Sequence, residues 1–251
     1  YSAVQNQEVK KALEAVAVEK HASIAFSDTQ ADIVLEEKPG NMTFSHVLAS
    51  GDIVILKTVM AGLYQVKNAS LAADAAYALL PILMEAQKKE AVSRSCAKPT
   101  TDSLLKIIRK GMEKTRWPGR FEVISKAPFL VIDGAHNEDA VRQLADTVEN
   151  CFTNTRLTYI IGVLADKEHE KMLEVMAPFA KRIYTITPDN ARALDADRLA
   201  EEAGKYCDEV QAVGSVEKAL ALAFTHTEPI LAFGSLSYLG DLKRAFVSMK
   251  I

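Results

Sequence analysis

Apolar and polar positions change period along this chain, and the changes mark its elements. Val9, Ala12, Leu13, Ala15, Val16 and Val18 fall among charges over residues 7–20, which predicts a surface helix. Short extended runs follow at 23–26 (SIAF), 32–37 (DIVLEE), 42–48 (MTFSHVL) and 52–59 (DIVILKTV). An Ala/Leu-rich pattern from Asn68 to Ala86 predicts a buried helix. Residues 87–102 lose periodicity and read as an exposed connection, and 103–115 (SLLKIIRKGMEKT) form one more helix. The Pro118-Gly119 pair in RWPGR, 116–120, then breaks the pattern, so a hinge is placed there between a first domain, 1–115, and a second, 121–251.

Beyond the hinge the alternation is regular. Extended segments at 121–125, 129–132, 157–163, 182–186, 208–212 and 229–233 are separated by helical patterns at 138–149, 168–179, 196–204 and 215–225, with a last one at 237–248. Asp195 and Ser215 stand where they can cap helices, and Gly204 where it can end one. Strands alternating with helices predict right-handed crossovers, hence an α/β fold with a Rossmann-like, mostly parallel sheet and flanking helices. Ligands of such sheets sit at the carboxyl ends of the strands. Residues 133–137, 164–167, 187–192 and 234–237 fall there.

Composition narrows the picture. Apolar residues make up 49 % of the 251 and charged residues 25 %, enough for a sizeable core. The net charge of -3 gives no basic stripe for nucleic acid. Cys96, Cys151 and Cys207 are far apart with no CxxC pair, which argues against a zinc site or a disulfide framework and suits a reducing, cytoplasmic setting. No apolar run reaches the roughly 18 residues of a membrane span, so no membrane association is expected. The chain opens on Tyr1, not Met, and residues 1–20 read as an amphipathic helix, not a signal peptide, so a longer parent protein is expected.

The polar rim carries the candidate chemistry. In DGAHN, 133–137, Gly134 allows a tight turn and Asn137 can cap the next helix. That helix N-terminus offers free N–H groups to a phosphate. Asp133 could accept from ribose hydroxyls and His136 could meet a phosphate or carboxylate. A capped polar turn explains the same residues equally well, and GxGxxG is absent. Arg120, after the Pro-Gly turn, could pair bidentately with phosphate or stand solvated. Asn68, at the start of its helix, could read an adenine edge or serve as an ordinary N-cap. Asp166, Lys167, Ser235 and Ser237 share the rim with Asp133, though a solvated turn also accounts for Asp166 and Lys167. His21, His46, His169 and His226 have no ligand spacing and read as structural or exposed.

Taken in order, GLYQVKNA (62–69), PGRFE (118–122), DGAHN (133–137), GVLADKE (162–168), TPDNARALDAD (187–197) and GSLSYLG (234–240) resemble the folylpolyglutamate synthase/dihydrofolate synthase branch of the Mur ligase superfamily. The resemblance covers nearly the whole chain and is weakest over 1–50. It implies an ATP-dependent ligase that phosphorylates a pterin-linked carboxylate, which the amino group of L-glutamate then attacks. Folate or dihydropteroate and L-glutamate would be the substrates, ATP and Mg²⁺ the cofactors, and a monomer the working form. Carried over by position, Asn68 would hold the adenine edge, Arg120 the ATP phosphates and Asp133 the ribose. His136 would lie near the γ-phosphate and incoming glutamate, and Ser235 would help place the glutamate. Lys167 and Arg192 are further candidates at the same rim.

The sequence departs from the family at two places. Tyr64 stands where the family has histidine before Gln65. The Gly-Thr-x-Gly-Lys-Gly-Ser phosphate loop, the family's metal ligands and its carbamylated lysine have no counterpart here. The resemblance therefore implies the tail of a central ATPase domain over 1–115 and the glutamate-ligase domain over 121–251, inactive alone. A peptidoglycan-precursor ligase of the same superfamily, or a non-catalytic nucleotide-binding module of the same fold, are the alternatives.

Overall fold

A computed structural model describes residues 1–3, 6–90 and 100–249. Most of the expected connection at 87–102, with Cys96, lies outside the described residues. The chain divides into two compact units. The first is Tyr1–Glu37, Asn41–Val59 and Leu63–Thr115; the second is Arg116–Ile251 joined by Lys38–Gly40 and Met60–Gly62.

In the first unit, β1 (Ser2–Ala3) pairs parallel to β2 (Phe26–Ser27). Residues 1–20 are thus not one helix: α1 spans Gln7–Glu19 and buries none of its side chains. A three-stranded sheet has the order β3 (Ile33–Lys38), β4 (Asn41–Val47), β5 (Ile53–Thr58). Met42, Phe44, Val54 and Leu56 alternate onto one face of it. That face packs against α2 (Leu63–Glu90) through Val66, Ala69 and Ala73, and against α3 (Thr101–Lys114) through Ile108.

Helix α2 corrects two expectations. It begins five residues before Asn68, which therefore lies inside the helix and caps nothing. Over Leu63–Ala86 it also reaches a mean hydropathy of 1.3, so by length and composition it could cross a bilayer. Its buried face instead packs on β4 and β5, and the buried Asp74 on it is hydrogen-bonded to Ser27 and His46.

The second unit is built on six strands in the order β10 (Val210–Gly214), β9 (Ala180–Ile186), β8 (Leu157–Ile161), β11 (Ile230–Phe233), β7 (Phe129–Ile132), β6 (Glu122–Lys126). All neighbours are parallel except β6, which runs antiparallel to β7. A connection of only two residues, Ala127 and Pro128, separates those strands. That is far too short for a parallel crossover and forces a hairpin.

Alternate side chains of each parallel strand go to opposite layers. Val131, Tyr159, Ile161 and Phe233 meet α4 (Glu138–Cys151), α5 (His169–Met176) and α6 (Ala196–Ala203). Leu130, Ile132, Ile160, Ile230 and Ala232 meet α7 (Val216–Ala223) and α8 (Leu236–Ser248). The predicted helix 168–179 is shorter than expected, because Ala177–Phe179 tightens into a 3₁₀ turn at Pro178. Both predicted caps form: Asp195 accepts from Asp197 N and Arg198 N, and Ser215 accepts from Lys218 N. Gly204 ends α6 at φ -62°, a conformation open to any residue, so its lack of a side chain is not what stops the helix.

Candidate functional site

Because β11 inserts between β7 and β8, the strand order reverses there, and crevices of this kind open at the carboxyl ends of the strands. Three loops meet at that edge. Asp133 N donates to Ala232 O (2.9 Å), Gly134 N to Gly119 O (2.8 Å) and Gly234 N to Ala135 O (3.0 Å). The loops after β7 and β11 and the Pro-Gly turn are thereby joined backbone to backbone. Glu122 secures the turn further: one oxygen accepts from Gly119 N at 3.0 Å and the other pairs with Lys243 of α8 at 2.7 Å. Glu122 stands in the PGRFE motif but was given no role there, and nothing in the sequence pattern singled out Lys243, 121 residues further on.

Two glycines are required here for different reasons. Gly234 has φ +110°, and a Cβ on it would lie 2.7 Å from the Gly162 carbonyl oxygen. Gly134 has an ordinary backbone, so a tight turn is not its reason. A Cβ there would lie 2.4 Å from Leu236 Cδ2 and 3.2 Å from an Arg120 guanidinium nitrogen.

Asp133, read from the sequence as able to accept from ribose hydroxyls, is 4 % exposed. One carboxylate oxygen accepts from Phe121 N at 2.7 Å and the other from Ala135 N at 2.8 Å. Phe121 is itself fully buried with φ +43°, a left-handed conformation costly for an aromatic residue. Asp133 therefore acts inward, holding the strained entry to β6 and the start of the next turn. It does not present an open carboxylate to a ribose. Burial raises its pKa to about 6, against the opposing pull of the two backbone N–H groups and of the nearby Arg120 charge.

The partly buried Arg120 makes no hydrogen bond or ion pair among the described residues, so its guanidinium is available to an anion. His136 places Nδ1 2.9 Å from Gly134 O, which assigns Nδ1 the proton and leaves Nε2 without a hydrogen bond among the described residues. Asn137 caps α4, its side-chain oxygen accepting from Ala140 N at 2.9 Å. Ser235 is 6 % exposed and caps α8, its Oγ accepting from Ser237 N at 3.2 Å and lying 2.9 Å from Ser237 Oγ. Its hydroxyl is thus already engaged.

On the neighbouring loop Arg192 is paired with Asp166, whereas the Lys167 ammonium has no hydrogen bond or ion pair among the described residues. The structure brings Arg120, Asp133, His136 and Ser235 to one edge of the second unit. Asn68 lies in the first unit, exposed on α2 and donating to Gln65 Oε1 at 3.3 Å.

The edge offers the phosphates of a nucleotide a guanidinium without a hydrogen bond or ion pair among the described residues and the start of a 14-residue helix, one of whose N–H groups is already taken by the Asn137 cap. It does not fit a divalent metal. Among the described residues no three His, Cys, Asp or Glu side chains come together to hold one.

The second unit is thus an open α/β sheet whose switch point at β11 lies at the carboxyl ends of the strands, where ligands of such sheets bind. Residues 119–236, most of the second unit, match the family described as Mur ligase, glutamate ligase domain. The chain is 29 % identical to the dihydrofolate synthase/folylpolyglutamate synthase of Bacillus subtilis, over 90 % of this chain and 50 % of the relative. It is 35 % identical to the folylpolyglutamate synthase of Lacticaseibacillus casei, over 55 % of this chain and 31 % of that protein. The fold of the folylpolyglutamate synthase of Mycobacterium tuberculosis superposes with a TM-score of 0.73 at 24 % identity, covering 98 % of this chain and 54 % of that one. The chain spans at most about half the length of these relatives.

Proposed function

We propose that this chain takes part in ATP-dependent amide-bond formation, adding L-glutamate to folate or dihydropteroate through an acyl phosphate. The observation that carries the reading is the Arg120 guanidinium, without a hydrogen bond or ion pair among the described residues and close to Gly134 in the loop that leads to α4, within a segment that matches a glutamate ligase domain. Relatives add support. The Mycobacterium protein was crystallised with ADP and AMPPCP, and a bifunctional relative from Yersinia pestis with AMPPNP and a Mn ion. The relatives named above are folate ligases, which favours this reading over a peptidoglycan-precursor ligase.

In this reading Arg120 pairs with nucleotide phosphates, offsetting charge that builds up as a phosphoryl group moves. His136, fixed through Nδ1, turns Nε2 toward the γ-phosphate or the amino acid. Asp133 positions the loop that carries both Gly134 and His136, and Ser235 orients the start of α8 at the same edge. For the first unit taken by itself, the exposed amide of Asn68 is the group proposed to meet an adenine edge. ATP supplies the phosphoryl group that activates the pterin-linked carboxylate. Magnesium is the expected divalent ion, and its ligands are sought outside the described residues of this chain. A monomer in the cytoplasm completes the proposal.

The test is labelled L-glutamate incorporation by the protein encoded with whatever reading frame precedes Tyr1. Dihydropteroate or folate should accept the label and UDP-muramoyl substrates should not, and Arg120→Ala should lower the rate by two orders of magnitude or more. Incorporation into the muramoyl substrate alone would overturn the reading, as would an Arg120→Ala protein with unchanged kinetics.

A further inference from the structure

His169 was expected to be structural or exposed, yet its side chain is 13 % exposed and both ring nitrogens meet acceptors. It is the first residue of α5, directly after the loop that follows β8. Its Nδ1 and its backbone N both lie 2.8 Å from the Lys167 carbonyl oxygen. Its Nε2 lies 2.8 Å from Glu202 Oε2 on α6, within ion-pair distance although off the line of a hydrogen bond. Glu202 is 13 % exposed as well, and its other oxygen lies 3.7 Å from Arg198.

These contacts are not needed to dock α5. Met172, Leu173 and Met176 already bury its apolar face in the core. Glu168, at the N-cap position, makes no capping bond, so His169 takes over the fixing of this loop end. The far side of the loop is held separately, by Ala165 N donating to Arg192 O at 2.8 Å and Leu194 N to Val163 O at 3.0 Å. Between the two anchors stands Lys167, its backbone tied and its ammonium without a hydrogen bond or ion pair among the described residues. One turn into α5, Lys171 reaches Glu138 at the start of α4 (3.1 Å), which brings this loop beside the His136 loop.

We propose that His169 and Glu202 are a positioning pair for Lys167, aiming its ammonium at an oxyanion bound on the carboxyl edge of the sheet. A flexible lysine gives up rotamer freedom when it binds. Fixing the backbone beneath it leaves less disorder to remove at that moment. The anion, a substrate carboxylate or a phosphate, is the part that rests on the ligase reading.

The experiment uses the 251-residue chain and two probes, L-glutamate and inorganic pyrophosphate, with affinities followed by amide chemical shifts. Loop order is read separately, from trypsin cleavage after Lys167 and from hydrogen exchange of the 165–169 amides. His169→Ala should speed that cleavage about tenfold while β8 and β11 amides keep their protection. It should also weaken the bound probe about five- to tenfold, with Glu202→Gln falling in between. In a Lys167→Ala background His169→Ala should change affinity no further, a coupling that a merely structural histidine would not show.

Additive losses in the double variant, or a loop as protected in His169→Ala as in the parent, overturn the proposal. If neither probe binds the parent chain, the aim of Lys167 at an oxyanion is overturned, while the ligase reading is decided separately by glutamate incorporation. Which probe binds distinguishes a carboxylate from a phosphate as the partner of Lys167.

Discussion

A single carboxylate at the end of β7 carries two consequences that its position in DGAHN did not announce. Asp133 is buried, and both its oxygens accept backbone N–H groups. Asp133→Ala strips partners from two buried donors, one of them in the strained Phe121, and should cost about 2–4 kcal/mol in chemical denaturation. Asp133→Asn keeps one acceptor and should fall nearer the low end. The pH dependence follows from the direction of the shift. With the folded carboxyl raised from 3.8 to about 6, the folded state binds the proton more tightly. This group's contribution is therefore fully present below about pH 4 and is lost as pH rises through about 6, a change on the order of 3 kcal/mol. Denaturation midpoints followed from pH 4 to pH 7 should show that decline in the parent and a flatter profile in Asp133→Asn; identical slopes would refute it. The neighbouring glycines separate in the same way. Gly234→Ala meets a backbone carbonyl at positive φ and should cost more than Gly134→Ala, whose new methyl meets the movable end of the half-exposed Leu236. Comparing their melting temperatures decides the order.

At the level of the element, caps and alternation carry most of the information. Asn137 makes its bond to Ala140 N at the exposed start of α4, so Asn137→Ala should cost about 1 kcal/mol and Asn137→Asp little, as thermal unfolding would show. Such caps were legible because their donors lie two or three residues away in sequence. The parallel strands were legible too, since buried strands read as short apolar runs between helical patterns. What escaped is what depends on distant partners. The early start of α2 is set by packing of Val66 onto β4 and β5, not by a cap signal. The antiparallel β6 follows from a two-residue connection that the strand pattern alone did not weigh. Asp133 looked exposed because a polar turn in sequence says nothing about Phe121 folding back over it. The Glu122–Lys243 and His169–Glu202 contacts join segments with no local signature, and only the folded sheet brings them together.

The chain as a whole holds two bodies, and they are stabilised differently. The second unit relies on two apolar layers over a six-stranded sheet. The first adds a buried polar group to a smaller core. His46 is fully buried, with Nδ1 2.7 Å from Asp32 and Nε2 3.2 Å from Asp74. Ser70 donates to the free oxygen of Asp32 at 2.6 Å, and Ser27 to that of Asp74, so every carboxylate oxygen has a partner. The group ties β2, the approach to β3, β4 and α2 into one register. Removing His46 leaves one buried oxygen of Asp32 and one of Asp74 without a partner, a cost of about 1–3 kcal/mol each. His46→Leu should therefore unfold the first unit selectively. Hydrogen exchange resolves the outcome: β4 and β5 amides should lose protection while β8 and β11 amides keep theirs. The triple replacement Asp32→Asn, His46→Leu, Asp74→Asn removes the carboxylates left without the imidazole and should recover part of the loss. Equal loss of protection in both units would mean that the two bodies unfold as one, and that the His46 group stabilises the whole chain and not the first unit alone.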